Sequence, residues 1–234
     1  MKGKKNTMSS LIVTRRNAAL GVLGAGTAAA LAACSSSNSN SNSNSSGGSS
    51  SSSKSEPAKD YKGEVKFDSF DTSAGEYVPA TRTEPAKNVP VPKLPENANE
   101  KSVEAFYAHI GYITASIQYL FATGDDAPLR KSSFTEEEVN AFYKDPETKK
   151  IFSQIKSGEI WLDNPKVTTE LKTSAPEISG DRYKWSSQMS NDKGAFMANA
   201  DTAVDFSADE RTNTESVSFV GTYSDNKWSM ISTH

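Results

Sequence analysis

Between Val103 and Phe121 the apolar residues recur at helical intervals. Val103, Phe106, Ile110, Ile113, Ile117, Leu120 and Phe121 share one arc of a helical wheel, about 100° wide. The spacing predicts a long amphipathic helix over residues 99–122. Asn97-Ala98-Asn99-Glu100 supplies capping-box spacing at its start, and Gly124 a stop at its end. Asp125 is expected to cap a short turn of helix through Leu129. Thr135-Glu136-Glu137-Glu138 is a second capping box, with carboxylates on the positive end of the helix dipole. Val139, Phe142 and Tyr143 follow on one face. Asp145-Pro146 opens a further helix as N-cap and first helical residue. Ile151, Phe152 and Ile155 form its apolar face, and Gly158 ends it.

From Ile160 the period falls to two. Val167, Thr169 and Leu171 alternate with polar neighbours, as do Tyr183, Trp185, Ser187 and Met189. Asn191-Asp192-Lys193-Gly194 has the composition of a hairpin turn. Beyond it Phe196, Ala198, Ala200, Thr202, Val204 and Phe206 fall on one face of a single strand. Val217, Phe219, Gly221 and Tyr223 mark the next strand. Asp225-Asn226 is a second turn, with Trp228 and Met230 inward on the last strand. Helices first and an antiparallel meander after them define an α+β class, with the helices packed on a curved sheet.

The N-terminal third has no such periodicity. Basic residues come first and end in Arg15-Arg16. An uncharged run rich in Ala, Leu and Gly then extends from Ala18 to Ala33. The run holds about 16 residues, short of the roughly 20 that span a bilayer core. Charged end, apolar middle and small residues at the cut form the order of a secretory signal. Leu31-Ala32-Ala33-Cys34 resembles the lipobox of bacterial lipoproteins. The resemblance implies cleavage between Ala33 and Cys34 and a diacylglyceryl group on the Cys34 thiol. Thr14-Arg15-Arg16 also resembles a twin-arginine export signal, which leaves the general and twin-arginine routes both open. Met1 and Met8 are both starts that preserve the signal.

Ser35 to Ser53 are nearly all Ser, Asn and Gly, with no apolar side chain to offset the entropy of ordering. A disordered spacer is expected, about 25 Å in mean reach for about 20 residues. Prolines at 57, 79, 85, 90, 92 and 95 then punctuate an extended segment. It is expected to dock on the folded part from about Gly75. The divisions are 1–33 signal peptide, 34–55 linker, 56–95 extended segment and 96–234 α+β domain.

The helices-then-meander order resembles the cone-shaped fold of nuclear transport factor 2 and its relatives. A closer likeness rests on Gly75-Glu76-Tyr77-Val78-Pro79-Ala80-Thr81, Pro85-Ala86-Lys87-Asn88-Val89-Pro90-Val91-Pro92, Pro95-Glu96 and Thr123-Gly124-Asp125. These stretches resemble the signatures of an actinobacterial lipoprotein family that carries only a domain of unknown function. The likeness spans about residues 75–234. It implies lipid anchoring, a cone-like domain and, from the wider fold, a homodimer through the sheet as an open alternative. The family often has a Cys-x-x-Cys pair after the second helix. Here Lys131-Ser132-Ser133-Phe134-Thr135 stands there, without cysteine.

Charge narrows the partners. The chain carries 26 basic and 29 acidic residues. The five basic residues of 1–33 go with the signal, leaving 21 against 29 and a net of −8. Such a chain lacks the clustered Lys and Arg that nucleic acid requires, so no nucleic-acid partner is expected. One cysteine excludes an internal disulfide.

Candidate chemistry is sparse. His109 lies about 80° from the centre of the helix's apolar arc, at the boundary of core and solvent. In the mouth of a cone it could serve as an acid–base group. His234 is the last residue. Two histidines so placed cannot assemble a zinc site, and no cofactor is expected. Asp201 and Asp205 share the polar face of the expected 196–206 strand, where they could act as paired carboxylates, although that spacing is usual for a merely solvated face. Ala198, Ala200 and Gly221 are small on inward faces, which means close helix packing or a void. Were a void present, Tyr107, His109, Tyr183 and Trp185 would line it. The first functional expectation is a lipid-anchored envelope lipoprotein acting without catalysis, bound to the membrane through Cys34 and to an envelope protein or small ligand. The alternative is a small cone-fold enzyme or ligand carrier with its pocket near His109.

Overall fold

A long helix, α1, runs from Val103 to Thr123 in the computed structural model, which describes residues 59–234. Its N-cap is Ser102, whose hydroxyl accepts from the Ala105 amide at 3.0 Å. The cap expected at Asn97 lies outside it. Glu96–Asn99 form a separate 3-10 turn, and extended Glu100 divides the two. The spacing of Asn97 to Glu100 is right for a box, but buried Ala98 pulls that turn beneath the helix instead. Gly124 closes α1 in the left-handed conformation.

Short helices α2 (Ala127–Arg130), α3 (Glu136–Ala141) and α4 (Pro146–Lys156) follow. The cap of α2 is Asp126, one residue later than expected. Thr135 and Asp145 cap α3 and α4 as their sequences predict, accepting from Glu138 and Thr148 amides.

The strands are β1 (Gly63–Glu64), β2 (Phe70–Asp71), β3 (Val91–Pro92), β4 (Ile160–Leu162), β5 (Lys166–Leu171), β6 (Glu177–Ser179), β7 (Arg182–Asp192), β8 (Phe196–Asn199), β9 (Ala203–Asp205), β10 (Thr212–Ser224) and β11 (Lys227–Thr233). One antiparallel sheet has the order β1-β5-β7-β10-β11, with β6 also on β7. A second has the order β4-β8-β9, and β2 pairs with β3. This is an α+β fold.

Two strand expectations change. Asn191 to Gly194 do not form a hairpin, because β5 and β10 already occupy both edges of β7 up to Asp192. The chain turns out of the sheet there. At Gly194 φ is 85°, and a Cβ would fall 1.5 Å from the Asp163 carbonyl oxygen. The Ala195 amide donates to the Asp163 carboxylate at 2.9 Å, which starts the second sheet. The expected 196–206 strand is likewise broken. The Asn199 side chain accepts from the Asp201 and Thr202 amides, both at 2.9 Å, and folds β8 back onto β9. Asp201 is therefore in a turn and Asp205 on a strand, so they share no face. Polar β6 and the four-residue helix α5 (Ala208–Arg211) carry no apolar period that would have announced them.

The core lies between α1 and the larger sheet. Phe106, Ile110, Ile113, Ile117 and Leu120 meet Leu171, Trp185, Phe219 and Met230. Thr114 and Thr169 share a buried hydroxyl hydrogen bond of 2.7 Å between α1 and β5. A smaller core under the second sheet holds Ala80, Trp161, Phe196 and Ala198. Residues 78–87, bridged at Val78 and Lys87, cover it. Trp161 Nε1 donates to the Thr81 carbonyl at 2.7 Å, and Asn164 accepts from Tyr77 Oη and the Ala80 amide. The N-terminal segment joins the fold ahead of Gly75: Tyr61 and Val65 are both buried in the main core.

Candidate functional site

Arg15, Arg16, Ala33 and Cys34 lie outside the described residues. Tyr183 and Trp185 pack on Phe106, and Tyr107 packs on Trp185 with ring centroids 6.3 Å apart. Ring centroids stand 5.7 Å apart for Phe106 and Tyr183, and 6.1 Å for Phe106 and Trp185. Tyr61 enters the same cluster, 4.8 Å from Tyr107 and 5.6 Å from Trp185. Its hydroxyl donates to Glu104 at 2.7 Å. Trp185 Nε1 donates to the Thr173 carbonyl at 3.1 Å, and Tyr107 Oη accepts from the Lys66 amide at 2.7 Å. Rings fill the space between helix and sheet here. At Gly221 the missing side chain is close packing: a Cβ would stand 2.6 Å from Phe106 Cε2. Ala198 packs in the smaller core, while Ala200 is exposed in the β8–β9 turn.

His109 is deeper than a boundary residue, with 4% of its surface exposed. The 3-10 turn covers it, an element the helical wheel does not contain. Nε2 lies 2.8 Å from the Ala98 carbonyl, which makes it the protonated nitrogen. Nδ1 is buried without a partner. Burial pushes the imidazole below its ordinary value, and the bond to Ala98 opposes that in part.

An open groove lies elsewhere, between α4 and the second sheet, with a volume of about 650 Å³. Asp145 caps α4 through the Thr148 amide at 3.0 Å, and Gly158 turns the chain into β4. This places Ile151 opposite Ile160 and Met197, which make an apolar floor. Glu147, Glu159 and Asp201 stand on the rim with Lys150. Gln154 Nε2 donates to Glu159 Oε1 at 2.9 Å and steadies that carboxylate. Asn199 steadies Asp201 through its backbone amide. Below the floor a small apolar recess meets Lys193, whose ammonium sits 4.7 Å over the Phe206 ring. Burial pushes the Lys193 amine down from its ordinary value.

The groove offers apolar contact, carboxylates and side-chain amides, the makings of recognition. Among the described residues no group of His, Cys, Asp and Glu is gathered to hold a metal ion. No described helix is long and apolar enough to cross a membrane. The apolar face of α4 is legible in the sequence, but the groove is not, because Ile151 and Met197 are far apart in the chain.

Residues 75–234 match a family of unknown function, DUF6318. The chain belongs to that family. The match begins at the segment that covers the smaller core and includes the groove. It leaves out Tyr61 and Val65, which complete the main core from outside it. No curated protein matches the chain, and no solved structure does.

Proposed function

We propose that this member of the family is a lipid-anchored lipoprotein of the cell envelope whose exported domain is a non-catalytic binding module. The observation that carries the anchoring is the seam Leu31-Ala32-Ala33-Cys34 after a basic and then an apolar run. Two acyl chains on Cys34 hold a protein far better than one, at about 0.8 kcal/mol per buried CH₂. The Ser/Asn tract after Cys34 spaces the domain from the membrane, on its extracellular face. The helices-first order and α1 laid on the antiparallel sheet support a cone-like fold of the nuclear transport factor 2 kind.

The groove between α4 and the second sheet supports the binding role. The alternative, an enzyme or ligand carrier working at His109, gains no support from that residue's place: its one bonded nitrogen holds a structural carbonyl. Cell fractionation tests the anchoring. Cys34→Ser should move the protein from the membrane fraction to the medium or leave it as uncleaved precursor. Mature wild-type protein that stays on the membrane with no lipid mass at its N-terminus would overturn it.

A further inference from the structure

We infer that the groove between α4 and the second sheet takes an extended peptide segment of a partner protein in which a lysine or arginine adjoins an aliphatic side chain. The inference rests on the binding role proposed for this groove. Its shape sets the first condition. The lining residues of α4, from Glu147 through Lys150, Ile151 and Gln154, continue to Gly158 beyond its end. From Glu147 to Gln154 the helix rises by about 10 Å. An extended chain at about 3.3 Å per residue crosses that with about three residues. A compact organic cation would leave part of that length and of the 650 Å³ unfilled.

Charge sets the second condition. Three carboxylates, Glu147, Glu159 and Asp201, face one ammonium, Lys150. Among the described residues none of the four is in an ion pair. Other carboxylates are mated: Asp125 with Lys156, Asp126 with Arg130, Asp192 with Arg211 and Asp205 with Arg82. The excess negative charge on the rim therefore calls for a cationic partner and repels an acidic one. The floor sets the third. Ile151, Ile160 and Met197 reward an aliphatic side chain, and Met adapts to several shapes. The Asn199 side-chain oxygen accepts from two amides, and its NH₂ is the part of this lining residue that can donate to a peptide carbonyl.

Panning a displayed random heptapeptide library on the full chain tests this, with Ala200→Trp and Lys150→Trp as groove-filling controls. Both positions are exposed, and melting curves establish that each control folds. Enriched peptides are expected to pair Lys or Arg with Leu, Ile, Val or Met and to lose binding to the controls. The Glu159→Gln, Asp201→Asn double variant should weaken a selected peptide about tenfold, at two- to fivefold per charge, and added salt should weaken it too. Groove-dependent peptides that are neutral or acidic, or that ignore the double variant, would overturn the cationic class while leaving groove binding in place. Peptides that bind the controls equally well, or no enrichment at all, would overturn the groove itself.

Discussion

At His109 the bonded Nε2 faces the Ala98 carbonyl and Nδ1 faces no acceptor, so a second proton would add a buried charge without a partner. The folded-state value is pushed below the ordinary one, near 6.5 in an unfolded chain. The unfolded chain thus binds the proton first as pH falls. The contribution of this group to stability is present above about pH 6.5 and is lost as pH falls through the folded value. Urea midpoints should drop between pH 7 and pH 5 in wild type. His109→Gln keeps a donor for Ala98 and cannot titrate, so its drop over that interval should be smaller; an equal drop would assign the effect to other groups. Gly194 is a second decisive residue. Its positive φ and its contact with the Asp163 carbonyl both exclude a Cβ. Gly194→Ala should cost about 3 kcal/mol or more, read as a shift in the denaturation midpoint. His109 was visible in the sequence as a polar residue on an apolar helix. Its depth was not, because Ala98 and Trp228 cover it from other elements.

At the scale of elements, the segment entering the fold is held by a few contacts of high value. The Tyr61 amide donates to the Ser174 carbonyl at 3.1 Å, the Val65 amide to the Thr169 carbonyl at 2.8 Å, and the Tyr61 ring packs on Tyr107 and Trp185. Tyr61→Ala should destabilise by about 3 kcal/mol. It should also open Trp185 to water, seen as a red shift in tryptophan emission; an unchanged spectrum would mean the segment does not cover the ring. The outer edge of β11 is also protected. Residues 133–135 run beside it, with the Thr135 amide on the Met230 carbonyl at 3.0 Å and the Met230 amide on the Ser133 carbonyl at 2.7 Å. Glu138 accepts from the Ser232 hydroxyl at 2.5 Å, which ties α3 to the same strand. The elements themselves were well marked where apolar periodicity was long, as in α1, β7 and β10. Polar β6 and α5 had no such mark.

For the molecule as a whole, the boundary of the family match and the boundary of the packing differ. The match starts at residue 75, but Tyr61 and Val65 are part of the main core. A chain beginning at Gly75 should lose about 3–6 kcal/mol from two unburied side chains, against the same chain begun at Lys59. Equal thermal midpoints for the two would show that the core closes without them. The split into two sheets decides where a groove can exist. Had β8 paired with β7 as a hairpin, Met197 would not face α4.

The sequence by itself determined the α+β order, the N-caps of α3 and α4, the faces of the long strands and the negative charge of the chain. Those properties are local: a periodic pattern, a cap or a count is written within a few residues. Only the tertiary structure decided that aromatic rings fill the space beside α1, that Asn191 to Gly194 lead out of one sheet into another, and that the open groove lies along α4. Each of those depends on residues tens of positions apart competing for the same space or the same strand edge, and no single stretch of the chain records the winner.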